Sequence, residues 1–322
     1  MGLFDDIDDI QTPVYLVTGF LEGGKSAFLE YTIGQDYFEI IGRTLLILCE
    51  EGEVEYDEAL LKRTHTVVEI LEEQEDLSTD SLEYMKKKHR PARVLIEYNG
   101  MWPVSQIEEM KMPKGWGIVQ QITVVDASCF QVYMNNLKPL FVEMIKNTDL
   151  VIFNRCTNEL PLAGFRRSVK VVNPRAEILF ENESGQVEDI FEESMPYNLD
   201  ADVIDIMEED YGIWYVDMRD NPEDYEGKTI KFKGIVLKSK DPKAEFFVPG
   251  RMAMTCCADD TTFIGYVCKS AEAQKLATGS WVAVTAEVGW EYAEVYRDEG
   301  PVLYAKEIIP CEPLKEELVY FN

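Results

Sequence analysis

Up to about residue 182, short apolar runs alternate with longer segments whose apolar positions recur every three or four residues. The runs at Val14–Thr18, Thr44–Cys49, Thr66–Ile70, Arg93–Glu97, Gln121–Val125, Leu150–Asn154 and Glu177–Phe180 predict strands. Helical patterns lie between most of them. One covers 25–35; another covers 78–88, with Ser78 and Thr79 as candidate caps and Lys86, Lys87 and Lys88 at the end where the helix dipole favours cations. A third runs through "FQVYMNNLKPLFVEMIKN", where Pro139 should kink or interrupt it. Strands alternating with helices predict a mostly parallel sheet with crossover helices.

After residue 211 the period shortens. The stretches "TIKFKGIVLKS", "EFFVPGRMAMTCC", "TFIGYVCKS", "GSWVAVTAEVGW" and "GPVLYAKEIIP" alternate apolar and polar positions between turn residues. Five strands in about 110 residues predict a small all-β barrel of the oligonucleotide/oligosaccharide-binding (OB-like) kind, an architecture that carries no function by itself. Between the two patterns, residues 188–226 hold 15 acids and a single base, Arg219. The domain junction is placed in this composition shift, giving 1–187, an acidic junction at 188–226, and 227–322. Ile204, Met207, Tyr211 and Trp214 give part of the junction an apolar side with which a short helix could dock.

Charge narrows the possible partners. With 60 acids against 31 bases, the formal charge of −29 repels a nucleic-acid backbone and anionic lipid alike, so nucleic-acid binding is not expected. No run of about 18 uncharged apolar residues predicts membrane insertion. The opening "MGLFDDIDDI" carries acids where an export signal needs bases, and seven scattered cysteines suggest no disulfide framework. The expectation is a cytoplasmic protein.

The chemistry concentrates in "PVYLVTGFLEGGKSAFLEYTI". Gly19 to Ser26 satisfies G-x-x-x-x-G-K-[ST] between a predicted strand and a predicted helix. Glycines allow the backbone N–H groups to turn inward, and the following helix points its positive end at an anion. Gly19, Glu22, Gly23, Gly24, Lys25, Ser26 and Ala27 are therefore candidate phosphate-binding residues. Lys25 would reach the β- and γ-phosphates and Ser26 would ligate Mg²⁺. In "RVLIEYNGMWP", Glu97 ends an apolar strand and Gly100 follows three residues later; an acid so placed helps hold Mg²⁺, and a mobile glycine N–H can meet the γ-phosphate. The predicted fold class is thus an α/β P-loop NTPase domain followed by the small OB-like barrel.

Together with "ITVVDAS" and "VIFNRCTNE", these motifs resemble the nucleotide-binding domain of the CobW/HypB/UreG P-loop GTPases, the CobW branch above all, over about 13–182. The resemblance implies coupling of GTP hydrolysis to delivery of zinc, cobalt or nickel to a metalloprotein client. By the same resemblance Lys25 and Glu97 are the catalytic candidates, Ser26 and Glu97 the Mg²⁺ ligands, and Asp126 closes the following strand. Two departures stand out. The family reads guanine with Asn-Lys-x-Asp, whereas this chain has Asn154-Arg155-Cys156-Thr157, with Glu159 as a possible substitute carboxylate. Guanine preference over adenine is expected to be weakened, with ATP a competing ligand. The CobW branch also carries Cys-x-Cys-Cys between the two motifs, and residues 50–96 here contain no cysteine. Glu50, Glu51, Glu53 and Asp57 are open to two readings, a hard-cation site or a solvated acidic loop, the second being the default for like charges.

In the C-terminal half, "GRMAMTCCADD" places Cys256 and Cys257 on opposite faces of a predicted strand. Core packing is one reading; a zinc site with Cys268 and Asp259 or Asp260 is the other. Residues from about Tyr225 to Tyr320 resemble the C-terminal domain of YcgQ-like proteins, the partners of predicted permeases. The resulting expectation is a slow GTPase acting as metallochaperone or accessory factor for a transport system, with a membrane permease as partner. The alternative is a degenerate P-loop protein serving as a nucleotide-sensing or structural adaptor. No water-positioning Gln or arginine finger stands out in the sequence.

Overall fold

The computed structural model describes residues 10–50, 56–185, 195–241, 243–254 and 261–320. They divide into two units: residues up to Leu162 and from Val172 to 185 form one, and Ala163–Val171 with residues from 195 onward form the other.

In the first unit the elements run β1 (Thr12–Thr18), α1 (Lys25–Ile33), β2 (Thr44–Leu48), α2 (Glu58–Arg63), β3 (Thr66–Ile70), α3 (Thr79–His89), β4 (Arg93–Glu97), α4 (Val104–Glu108) and β5 (Trp116–Asp126). They continue with α5 (Phe130–Asn136), α6 (Lys138–Ile145), β6 (Leu150–Cys156) and β7 (Glu177–Asn182); between β6 and β7 the chain forms α7 (Leu162–Val172), of which Ala163–Val171 belongs to the second unit. The seven strands form one parallel sheet in the order β3-β2-β4-β1-β5-β6-β7. A parallel sheet is covered on both faces, which is why β2 and β4 read as unbroken apolar runs: Leu45, Leu46 and Ile47 are buried together with Val94, Leu95 and Ile96. On one face Val17, Leu46, Leu95 and Ile122 pack with Leu29 and Ile33 of α1.

Local signals explain the helix boundaries. Ser78 caps α3 by accepting from the Ser81 N–H at 3.3 Å, while its own N–H donates to Ser81 Oγ at 3.1 Å. Pro139 does interrupt the third helical pattern: α5 stops before Leu137, and Pro139 falls in the first turn of α6, where its missing N–H has no intrahelical partner to lose. Strand β5 begins five residues before the expected Gln121, because Thr12, Pro13 and Val14 pair with Trp116, Gly117 and Ile118. A glycine and two glutamines obscured that extension in the sequence.

The second unit contains β8 (Ile204–Asp205), α8 (Tyr211–Asp220), β9 (Thr229–Lys238), β10 (Phe246–Met254), β11 (Thr261–Gly265), β12 (Val267–Lys269), β13 (Trp281–Ala293), β14 (Asp298–Pro310) and β15 (Leu318–Val319). Strand β9 pairs with β13 along its first part and with β10 along its last, so β9-β10-β12-β14-β13 closes into a five-stranded barrel. Part of the acidic stretch before it forms α8. Tyr211, Trp214 and Met218 of α8 join the barrel core, with the Trp214 ring 4.8 Å from Phe232 and 5.7 Å from Tyr266. Arg251 is buried with its charge turned to backbone, donating to the Glu208 and Glu316 carbonyls at 2.6 and 2.7 Å. No helix among the described residues is long and apolar enough to cross a membrane.

Trp214 is fully buried, and its indole N–H has no hydrogen bond to lose. Trp214→Ala is expected to destabilise the second unit by about 3–5 kcal/mol through lost packing and the cavity left behind. Urea unfolding followed by circular dichroism measures this, and an unchanged midpoint would contradict the role given to α8.

Candidate nucleotide-binding site

The carboxyl ends of β1, β4, β5 and β6 converge, which is where open parallel sheets place their ligands. From Thr18 the chain turns through Gly19–Gly24 into α1. Gly24 is the N-cap residue of that helix at φ 99°, and a Cβ there would stand 2.4 Å from Asn154 Nδ2. No side chain caps α1, so the first N–H groups of the helix remain available to an anion. Glu22 also takes a left-handed conformation, at φ 60°, with its side chain exposed; Gly23 is buried, and Ala27 is exposed in the first turn of α1.

Lys25 is buried at 2% exposure. An ammonium has three protons, and each finds an acceptor: the Gly19 carbonyl at 2.9 Å, the Phe20 carbonyl at 3.0 Å, and the carboxylate of Glu50. Glu50 follows the end of β2 and is itself only 9% exposed, so it is an internal partner of the loop, not part of a solvated acidic run. Asp57 caps α2 by accepting from the Ala59 N–H, while Glu51 and Glu53 lie outside the described residues.

Glu97 closes β4 beside β1, in register with Val17. One of its oxygens accepts from Ser26 Oγ at 2.6 Å and the other from the Tyr56 hydroxyl at 2.5 Å. Burial first, then the charge of Glu97, pushes the Tyr56 hydroxyl up, so it remains a donor. Burial, followed by Glu50 and Glu97, likewise pushes the neighbouring Cys49 thiol up to about 12, which leaves it an inert core group. Gly100 lies where a Cβ would meet the Gly19 carbonyl oxygen at 2.4 Å, so any larger residue would displace the loop. Ser26 and Glu97 offer only oxygen, the donor set of a hard cation such as Mg²⁺.

On the opposite side, Asn154 Nδ2 donates to the Gly23 carbonyl at 2.8 Å, and its Oδ1 is buried without a partner. Arg155 adopts φ 52°, donates to the Glu22 carbonyl at 3.1 Å and pairs with Asp126. Burial works to raise the Asp126 carboxyl, but hydrogen bonds from Ser128 and the Arg155 guanidinium outweigh it and hold it below its usual range. Thr157 and Glu159 are exposed. Tyr56 and the Glu50 contact escaped the sequence reading; a tyrosine seven residues beyond a strand end and an acid within an acidic run carry no signal until the fold brings them to the loop. In the second unit Cys268 is buried in the barrel core, where burial pushes its thiol up to about 12. Cys256, Cys257, Asp259 and Asp260 lie outside the described residues. Among the described residues no group of three or more His, Cys, Asp or Glu side chains could hold a metal ion.

A glycine loop between a central parallel strand and a helix, with a buried lysine and a strand-end acid beside it, defines a P-loop nucleotide-binding domain. Residues 13–180 match the CobW/HypB/UreG nucleotide-binding domain, and the chain belongs to that family. Residues 182–321 match the DUF1980 C-terminal domain. Among solved structures, the hydrogenase maturation factor HypB from Archaeoglobus fulgidus is 18% identical, with a TM-score of 0.41 over 54% of this chain and 83% of that one. A Zn(II)-bound triple mutant of the YjiA GTPase is 20% identical, with a TM-score of 0.41 over 52% of this chain and 57% of that one. Comparison with curated proteins returned no match.

A phosphate entering the loop would have to compete with the Glu50 carboxylate for the Lys25 ammonium. Glu50→Gln should therefore tighten binding of Mg²⁺-nucleotide by about tenfold, equivalent to about 1.4 kcal/mol. Calorimetric titration checks this, and unchanged affinity would show that Glu50 does not compete.

Proposed function

We propose that this chain is a Mg²⁺-dependent GTP-binding protein of low intrinsic turnover, acting as an accessory or metallochaperone-type factor for a transport system. The observation that carries the reading is the convergence of Lys25, Ser26 and Glu97 at the end of the central strand β1. In this reading Lys25 leaves Glu50 to bind the β- and γ-phosphates, and the N–H groups of the loop and α1 hold the remaining oxygens. Ser26 and Glu97 hold the cation, which on binding neutralises charge on the phosphates. Asn154 supplies a base contact through the unpartnered Oδ1, while Arg155, held by Asp126, braces the loop at Glu22. Turnover is slow because Lys25 must first give up a buried ion pair, and breaking such a pair costs several kcal/mol unless the incoming ligand replaces it.

The transport role rests on the C-terminal module and its likeness to the partners of permeases, with the permease or a metalloprotein as client. A nucleotide-sensing adaptor without hydrolysis is the competing reading, favoured by the complete engagement of Lys25 by protein acceptors. Phosphate release under excess Mg²⁺-GTP separates the two.

Titration of the full chain with GTP, ATP and GDP in the presence of Mg²⁺ is expected to show binding that Lys25→Ala abolishes without loss of the folded circular dichroism spectrum. Equal affinity in the variant and the parent would remove the phosphate-loop assignment. Thr157 stands where the family's guanine-reading carboxylate belongs, and a hydroxyl cannot accept two hydrogen bonds in bidentate geometry. Thr157→Asp should raise the GTP-over-ATP preference by at least about tenfold, the scale of one recovered buried hydrogen-bond pair. A parent that already discriminates a thousandfold would assign the contact to another group such as Glu159.

A further inference from the structure

The carboxylate of Glu97 is held by a residue that lies outside both the phosphate loop and the Glu97–Gly100 motif. Glu97 is 3% exposed at the end of β4. The last torsion of a glutamate, between an sp³ carbon and the flat carboxylate, has only a broad preference, so strand and rotamer do not fix the carboxylate plane. A single hydrogen bond would leave that plane free to turn about the bonded oxygen. Here there are two, one on each oxygen: Ser26 Oγ donates to Oε1 at 2.6 Å, and the Tyr56 hydroxyl donates to Oε2 at 2.5 Å. Ser26 is itself an expected cation ligand. Tyr56 is the donor left to act as a support.

Tyr56 is in turn held from two sides. Its ring packs against the apolar cluster built on Val17, Leu29, Leu46 and Leu95, the same cluster that seats α1 on the sheet. The next residue, Asp57, donates its backbone N–H to Glu30 Oε1 at 2.8 Å and caps α2 by accepting from the Ala59 N–H at 2.8 Å. Glu30 and Ser26 both belong to α1, so the tyrosine and the serine that grip Glu97 are fixed to one helix. Outer partners of this kind orient the groups that bind a metal, and losing one lowers metal affinity by about ten- to a hundredfold. Mg²⁺ demands near-ideal placement of its oxygen ligands, which makes such support worth having.

We infer that Tyr56 is a positioning residue for the divalent cation: its hydroxyl locks the Glu97 carboxylate beside Ser26, so that both oxygen donors are in place before the cation arrives. The inference rests on the cation role proposed above for Ser26 and Glu97 and adds the residue that sets its strength.

The test deletes the hydroxyl alone. Tyr56→Phe keeps the ring in its apolar contacts, and GTP binding by the full chain is followed by calorimetry over a Mg²⁺ series and again in EDTA. The variant is expected to need about ten- to a hundredfold more Mg²⁺ for half-maximal binding, with its affinity in EDTA unchanged. Mn²⁺, whose paramagnetic resonance signal falls on binding, gives the same comparison without reference to turnover. In a Glu97→Gln background the substitution should raise the cation requirement no further, because a residue that acts only through Glu97 contributes nothing once that carboxylate is gone. Should Tyr56→Phe fail to fold, Tyr56→Met, which fills apolar space without a hydroxyl donor, decides by the same series. An unchanged Mg²⁺ requirement in the variant, or an equal loss of affinity in Mg²⁺ and in EDTA, overturns the role of Tyr56 and leaves the cation reading standing. A parent whose GTP binding responds to neither Mg²⁺ nor Mn²⁺ overturns the cation reading, and the role of Tyr56 with it.

Discussion

The nucleotide end of the first unit is organised around a single buried charge. Lys25 sits at the start of α1 with almost no exposure, and an ammonium removed from water must have all its protons met by acceptors. Two of them are carbonyls of the same glycine loop, which can face inward only because the loop bends through left-handed conformations. The third acceptor, Glu50, comes from the end of β2, two strands from β1 in the sheet order. The ion pair therefore ties the loop to the sheet, and the same oxygen-rich surroundings that satisfy it define the space a phosphate would enter.

That arrangement is possible because β1 occupies the middle of a parallel sheet. Its neighbour β4 ends beside it with Glu97, β5 runs three residues past it to Asp126, and β6 adds Asn154 and Arg155. The backbone has little spare room. Gly100 touches the Gly19 carbonyl, and Gly24 lies against the Asn154 amide, so the loop is confined from both flanks. Both oxygens of Glu97 are engaged by Ser26 and Tyr56, Lys25 has three protein acceptors, and Asp126 pairs with Arg155. At Lys25 and Glu97 ligand entry would exchange partners within a satisfied network, whereas the first N–H groups of α1 and Asn154 Oδ1 stand open.

The second unit solves a different problem. A sheet has open edges, and here β9 removes them by pairing with β13 along one part and β10 along another, which closes the barrel. The barrel core also draws in α8 from an otherwise acidic stretch, since Tyr211, Trp214 and Met218 bury their apolar side chains in it.

All seven strands of the first unit were legible from periodicity, most within a residue or two of their ends, because buried parallel strands are continuous apolar runs. The phosphate loop and Glu97 were legible because their chemistry demands fixed residue types at fixed spacing. What the sequence by itself determined was therefore the order of the strands, the family and the glycine loop with its candidate phosphate-binding residues. Only the tertiary structure decided which acid meets Lys25, that Tyr56 meets Glu97 and that Arg155 is held by Asp126. Those pairings join residues far apart along the chain. Their side chains are ordinary for a surface loop, and burial gives them a role only when sheet order and strand register bring them within hydrogen-bonding distance.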